Sequence, residues 1–453
     1  MLNKKKFMEA TVDTQINSKS NAIPMVIVAG LFFILGFVTW MNGSLMPYLK
    51  QVLQLSPFQA SLILFSFYIA VTFTALPSSA IIRKVGYKKG MALGLATMMF
   101  ACFLFIPAAK TQMFALFLVA QLVMGAGQTL LQTAVNPYIV KCGPEESAAV
   151  RVSICGILNK GAGVVAPIVF SALILSGFSG LVGTELSQEQ IDGMANSLIT
   201  PYIGLGLFIG VLAFSVTKSP LPELESEAGS DGINQTGLIK AALKVPSLTL
   251  GVIALFFYVA VEVIAGDTIG AFALSLGVQN YAVMTSYTMA CMVLGYILGI
   301  LLIPRVISQQ TALSSSAVLG LILTFAIVFG DNQSYAIANT LLVPFGGAKL
   351  PDPLLLIAVL GLANAIVWPA IWPLALSGLG KLTATGSALL VMGIAGGAFG
   401  PLFVGLASTV PADQISQPGA AALAQQGGYI VMLPCYLFIL FYALKGHKMK
   451  SWK

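Results

Sequence analysis

Three charged residues stand inside long apolar runs and are the side chains best placed to do chemistry: Lys160 in ICGILNKGAGVVAPI, and Glu262 and Asp267 in YVAVEVIAGDTIG. A charge at the centre of a membrane helix costs about 2.5–3.5 kcal/mol on the insertion scale, so one that persists marks an ion pathway, a proton relay or a buried pair. A lysine and a carboxylate buried together can exchange a proton. A carboxylate among backbone carbonyls offers the oxygens that a hard cation such as Na+ takes, at Asp267 or at Glu262. Lys160 lies nine residues past Arg151, roughly 13 Å along a helix, and its stem reaches only part of that distance toward the polar side. It is therefore expected to face an internal cavity and to pair with Glu262, with Asp267 or with a bound ligand. Asp267 stands five residues beyond Glu262 and roughly 22 Å from the start of its apolar run, a depth that suits either a site or a polar residue at the outer headgroups.

Uncharged polar residues form two helical stripes. Gln128, Gln132 and Asn136 recur every four residues, as do Asn364, Trp368 and Trp372, so each trio lines one helix face. Amides exchange hydrogen bonds with hydroxyls, and an indole covers the apolar C–H face of a pyranose. These are the side chains a sugar cavity needs. Amides also join helices and tryptophans also sit at membrane interfaces, so either stripe alone carries little. Their equivalent positions in two halves of the chain favour the cavity. Pro369 and Pro373 should bend their helix, exposing carbonyls to a ligand.

The elements that hold these residues follow from composition. The chain has 453 residues, 57% hydrophobic and 9% charged, against about a quarter charged in a soluble domain. A water-soluble fold is excluded. Apolar runs able to cross a hydrocarbon core of roughly 30 Å recur from Pro24 almost to the C-terminus. Spans are expected near 24–48, 59–82, 90–109, 112–140, 148–176 and 200–217, then near 247–276, 281–303, 310–330, 353–378, 383–409 and 427–444. The fold class is an all-α membrane protein of twelve transmembrane helices in two pseudo-symmetric six-helix bundles, 24–217 and 247–444. Residues 218–246, rich in Ser, Gly, Pro and Glu, read as a cytoplasmic linker, and 1–23 and 445–453 as cytoplasmic ends.

Lysine and arginine set the orientation. Loops after odd-numbered spans hold only Lys50, Lys110 and Lys349, while the other loops and the ends hold 19 of the 23 cations, and Lys160 is the remainder. The richer side is cytoplasmic, so both termini are expected there, in a multi-pass protein of the cell inner (plasma) membrane. The net charge of +7 is then an orientation signal and not a nucleic-acid footprint. An internal repeat supports two halves: Gly163 and Pro167 of GAGVVAP match Gly397 and Pro401 of GGAFGP at an offset of 234. In transporters, duplicated halves meet around a midplane site and rock against each other.

Other classes find little support. The polar start lacks the short apolar core and cleavage site of a signal peptide. Cys102, Cys142, Cys155, Cys291 and Cys435 are scattered, so no disulfide or metal centre is expected. The lone histidine, His447, lies in the basic tail, and no Ser/His/Asp set or phosphate-cradling loop is found, so no enzyme and no cofactor beyond a coupling ion is expected.

The stretch LQTAVNPYIVKCGPEESAAVR with Asn159 after it, together with FFILGFVTWMNGSLMPYLK, FYVAVEVIAG and WPAIWPLALSGLG, resembles the fucose/galactose/glucose cation symporters of the major facilitator superfamily. The likeness covers nearly the whole chain from about residue 25. It implies a monomer that imports a hexose with a cation by rocking of its bundles. Gln132 falls where the fucose branch has an essential acid and the glucose/galactose branch has Gln. Asn159 matches a sugar-contacting Asn, Trp368 an aromatic at the sugar, and Glu262 an acid of the glucose/galactose branch. Departures are as informative. In MNGSLMP, Asn42 stays but Gly43 replaces the acid to which the family's proton coupling is assigned. Arg83 stands where the wider superfamily has an Asp, Lys160 replaces a small Ser, and Asp267 replaces a small residue.

The expectation from sequence is a symporter for glucose, galactose, mannose or a relative such as N-acetylglucosamine, coupled to Na+ or H+. Asn42, Gln128, Gln132, Asn136, Asn159, Glu262, Asn364, Trp368 and Trp372 would surround the sugar, and coupling would rest on Lys160, Glu262 and Asp267. The alternatives are a facilitative uniporter, with the lysine ammonium replacing the ion, and a drug or solute antiporter of the same fold.

Overall fold

A backbone inside lipid must satisfy its own N–H and C=O groups, and a helix does so within one segment. The computed structural model describes residues 2–141, 148–178, 186–224, 235–303, 305–379, 382–411, 414 and 417–452, with the backbone alone at 2–22, 140–141, 148–150, 235–236, 383–384 and 388. Among the described residues, twelve helices are long and apolar enough to cross a membrane. Spans 1 to 6 are Ile23–Val52, Pro57–Val85, Tyr87–Thr111, Phe114–Ile139, Arg151–Phe178 and Gln188–Lys218. Spans 7 to 12 are Pro246–Asp267, Tyr281–Leu302, Gln309–Phe329, Asp352–Leu376, Thr385–Ala407 and Ala420–Lys448. Each overlaps its expected run.

Local chemistry explains the boundaries. Ser56 caps span 2 through a reciprocal box with Gln59, with Pro57 in the first turn, where its missing N–H costs nothing. Span 2 ends at Gly86, whose φ of 87° suits glycine. Span 6 is preceded within its range by a short amphipathic helix, Gln188–Ser197, capped by Ser187.

Several spans break where the sequence suggests one continuous run, and two of the breaks fall beside candidate residues. Span 7 stops at Asp267 and resumes as Ile269–Ser275. Between them the Thr268 hydroxyl donates back to the Ile264 carbonyl at 2.6 Å, a bond that bends helices. Span 10 divides at Ile366 into Asp352–Ala365 and Val367–Leu376. Pro369 explains the position, because its ring clashes with the carbonyl four residues back, at Ala365. The linker is also more ordered at its start than its composition suggests. Glu223 accepts from the Tyr87 amide at 2.6 Å, and Tyr138 donates to the Pro222 carbonyl at 2.8 Å. Residues 235–243 form a short helix, while 225–234 lie outside the described residues.

The halves meet where span 5 packs on span 8 and span 11 on span 2. The repeated glycines make those approaches possible. A methyl group on Gly163 would stand 2.7 Å from Met289 of span 8 and 2.8 Å from Trp40 of span 1, and one on Gly397 2.8 Å from Tyr68 of span 2. Small residues take this place in membrane interfaces because lipid offers no hydrophobic drive to hold helices together. Span 7 is the most covered, with 72% of its apolar window buried against 22% in span 6, so it is the central element of the C-terminal half. Cys102, Cys155 and Cys435 are buried and Cys291 half-buried inside spans. Cys142 lies outside the described residues.

Candidate functional site

Span 5 delivers Lys160 to the seam from the N-terminal half, and span 7 delivers Glu262 from the other. Lys160 Nζ lies 2.6 Å from Glu262 Oε1, with the two residues 8% and 7% exposed. The ammonium also stands 4.3 Å from the centre of the Trp40 ring, an added attraction for a cation in a desolvated place. Trp40 in turn donates to Asn159 Oδ1 at 3.3 Å, and Asn159 Nδ2 donates to the Phe32 carbonyl at 3.4 Å. Asn159 thus holds span 5 to span 1 and sets the direction of the lysine beside it. A buried pair adds little net stability, yet removing one member costs about 3–5 kcal/mol because the other charge is stranded.

Asp267 is wholly buried, 0% exposed. Its Oδ2 accepts from the Tyr68 hydroxyl of span 2 at 3.1 Å, and its Oδ1 has no hydrogen-bond partner. The headgroup position is therefore corrected. Axial depth along span 7 places Asp267 near an end, but span 2 and the Gly43 turn of span 1 cover it laterally. Other bonds join the halves close by: Ser44 to the Ala282 carbonyl at 2.6 Å and Ser286 to the Val164 carbonyl at 2.7 Å. All lie toward the face bearing the loops after odd-numbered spans, so the halves are tied together on that side.

The amides split into two groups. Asn42 Oδ1 accepts from Gln121 at 2.8 Å, Gln128 donates to the Thr39 hydroxyl at 2.6 Å, and Asn364 Oδ1 accepts from Tyr436 at 2.8 Å. Each keeps one buried polar atom unpartnered: Asn42 Nδ2, Gln128 Oε1 and Asn364 Nδ2, to which Trp372 Nε1 adds a fourth. Buried polar atoms are nearly always satisfied, so orphans in each half are open to a polar guest; others stand at Tyr202, Thr324 and Ser408. Trp368 packs at a tilt against Trp372, 5.6 Å between ring centres, and against Tyr258, 6.2 Å. Tyr258 lies one turn before Glu262, linking the indoles to the ion pair. The break at Ile366 splits the expected Asn364–Trp368 stripe. Gln132 is half-buried and Asn136 exposed, and no described hydrogen bond joins them to this group.

Several partners are missing from the sequence reading. Gln121 stands two turns before Gln128 on the same face, and extending that stripe backward would have found it. Trp40, two residues before Asn42, was legible as an indole in mid-span. Tyr68 and Thr285, whose hydroxyl donates to the Gly266 carbonyl at 2.6 Å beside Asp267, carry no signal, because a lone hydroxyl in an apolar span matters only through what another helix sets against it.

Twelve spans in two halves around a polar seam define a secondary transporter and not an enzyme. The family profile described as Major Facilitator Superfamily matches residues 28–413. A glucose/galactose transporter of Brucella abortus (strain 2308) is 32% identical over 443 residues, covering 96% of this chain and 97% of that protein. The L-fucose-proton symporter of Escherichia coli (strain K12) is 29% identical over 404 residues, covering 84% and 85%. Among solved structures, the Major Facilitator Superfamily transporter FucP in the outward conformation matches with a TM-score of 0.64 and 26% identity, covering 93% of this chain and 99% of that one. The chain belongs to the Major Facilitator Superfamily.

Proposed function

We propose that this protein imports a hexose, in the class of glucose, galactose, mannose or N-acetylglucosamine, together with a coupling cation, across the cell inner membrane. The observation that carries the reading is the set of buried, unpartnered amide and indole atoms on both sides of the seam, at Asn42, Gln128, Asn364 and Trp372. A sugar hydroxyl both donates and accepts, so it can meet the two Nδ2 donors, the indole N–H and the Gln128 oxygen alike. Trp368 offers the ring face. The names of the relatives support the same substrate class.

The ion pair supplies the coupling logic. With even-numbered loops in the cytoplasm, the side on which these contacts tie the halves together is external. Opening the outer side separates Lys160 from Glu262 and Tyr68 from Asp267, stranding charge in a poorly solvated seam. A cation at the carboxylates and a sugar at the amides replace those lost partners, so opening is least costly when both are bound. A facilitative reading rests on the same pair: if the Lys160 ammonium stays with Glu262 throughout, no external ion is required.

Purified protein in liposomes decides between these. Hexose accumulation should follow an imposed Na+ or H+ gradient in the wild type, and Lys160→Ser should uncouple uptake from that gradient. Accumulation indifferent to both gradients, with exchange intact, would favour the facilitator; failure of every hexose in a substrate panel would remove the sugar reading.

A further inference from the structure

A cavity of about 210 Å3 lies between the halves, on the face bearing the loops after odd-numbered spans. Four segments wall it: span 1 near its end at Gln51, the end of span 5, the short helix Gln188–Ser197 at Met194, and the turn leading into span 8. Local chemistry brings them together. Span 5 closes in a π-helix, Ser171–Leu175, whose i→i+5 bonds widen the turn, so that Ser171 and Ser176 both line the cavity although they stand five residues apart. Turns of this kind concentrate at functional sites. On the other side, Gly277 at a φ of 74° ends the helix Ile269–Ser275, and the Gly277 and Val278 amides donate back to the Leu274 and Ala273 carbonyls, both at 3.0 Å. The chain then crosses to the N-terminal half, where the Tyr281 hydroxyl donates to Gln51 Oε1 at 3.3 Å.

The lining is polar and neutral. Amides come from Gln51, Gln279 and Asn280, hydroxyls from Ser171, Ser176 and Tyr281, and none of the lining side chains is charged. An ion or a charged headgroup finds no counter-charge here, whereas a neutral hydroxylated solute finds amides and hydroxyls to bond with. Phe178, half-buried in one wall, offers a ring to an apolar C–H face. The volume falls short of the roughly 300–1,000 Å3 that drug-sized ligands occupy, which suits a solute of a single ring.

We infer that this cavity is a second station for the hexose, separate from the central amides. Gln51 stands nine residues past Asn42, roughly 13 Å along span 1, and the contact of Ser44 with the Ala282 carbonyl lies between them. In the orientation proposed above, the station is external and meets the sugar before the central amides do. Its walls belong to both halves, so the separation that exposes those amides also takes the station apart and releases the sugar inward. The inference rests on the sugar reading.

The test uses purified full-length protein in detergent carrying Asn280→Cys, at an exposed part of the lining. Labelling by N-ethylmaleimide is timed with D-glucose, D-galactose, D-mannose or N-acetyl-D-glucosamine, and the parent protein is the blank. At least one sugar should slow labelling saturably and severalfold, and betaine at equal osmolality should not. A control thiol from Asn339→Cys, exposed after span 9, should keep its rate throughout. Protection should survive Asn42→Ala combined with Asn364→Ala, which disables the central amides. Ser171→Phe fills the cavity and should raise the sugar midpoint about tenfold or more; Ser176→Phe does the same from the end of the helix if the first variant does not fold. Protection that disappears with the central amides, that betaine reproduces, or that ignores both cavity-filling variants overturns the station. Tryptophan fluorescence of the wild type separates the two claims. A fluorescence response to hexose without protection removes the station and leaves the sugar reading, whereas neither response to any of the four sugars removes both.

Discussion

Glu262 receives a lysine from the opposite half at 2.6 Å, whereas Asp267, five residues further on, receives a tyrosine hydroxyl at 3.1 Å and keeps an oxygen with no partner. Both acids stand on span 7, and both are buried at the contact between halves. What differs is the facing element. Span 5 brings Glu262 a cation on a long stem, while span 1 brings Asp267 a glycine. The first carboxylate is charge-balanced by the protein in this state; the second is met by neutral groups alone, the Tyr68 hydroxyl and the turn of span 1 at Gly43.

The sharpest way to break that contrast is to take the lysine away. Lys160→Met strands Glu262 and should lower stability by about 3–5 kcal/mol. Adding Glu262→Gln should recover most of the loss, since the double variant buries no charge there. Thermal unfolding of the two single variants and the double variant reads the coupling directly. If Lys160→Met unfolds at the wild-type temperature, Glu262 has another counterion and the two acids are not of different kinds.

A second, smaller effect is expected on the other side of the contrast. Gly43→Ala pushes a methyl group into the Thr285 hydroxyl and toward Asp267, an overpacking of about 1–3 kcal/mol. That cost falls only on the closed seam. The variant should therefore favour the open seam, and a cysteine placed at the buried Ala282 should react with a maleimide severalfold faster, by about tenfold for each 1.4 kcal/mol. Unchanged labelling would mean that the seam adjusts without opening, and that Gly43 is not a point of close approach.

The twelve spans were legible because crossing a bilayer imposes length and apolarity on every segment, whatever packs beside it. A pairing of Lys160 with one of the span 7 carboxylates was legible for a related reason, though not which of them: so few charges are affordable inside the membrane that those present must find each other. Asp267 was harder. Its sequence position gives a depth, and depth alone is equally good for a headgroup residue, because the cover supplied by Tyr68 and Gly43 is a property of two distant segments. The amides were half legible. Spacing gave the face carrying Gln128, Gln132 and Asn136, but only Gln128 is tied into the hydrogen-bonded group, and its partner Thr39 belongs to another helix. The break in span 10 shows the same limit from the backbone side: Pro369 announces a bend, and its clash with the residue four positions earlier moves the break to Ile366.

The finest test of the contrast removes a phenol from each acid in turn. Tyr68 donates to Asp267, and Tyr258 stands one turn before Glu262 on its own helix. Tyr68→Phe should cost about 1 kcal/mol, the usual net value of one hydrogen bond. Combined with Lys160→Met, it should add that cost unchanged if the two acids are separate, because the lysine acts on Glu262 and the phenol on Asp267. Tyr258→Phe combined with Lys160→Met should not add in the same way, since both changes fall beside Glu262. Thermal unfolding of the single and double variants distinguishes the outcomes. A coupling between Tyr68 and Lys160 as large as that between Tyr258 and Lys160 would show the acids acting as one cluster, with the lysine shared between them, whereas additivity at Tyr68 keeps them apart.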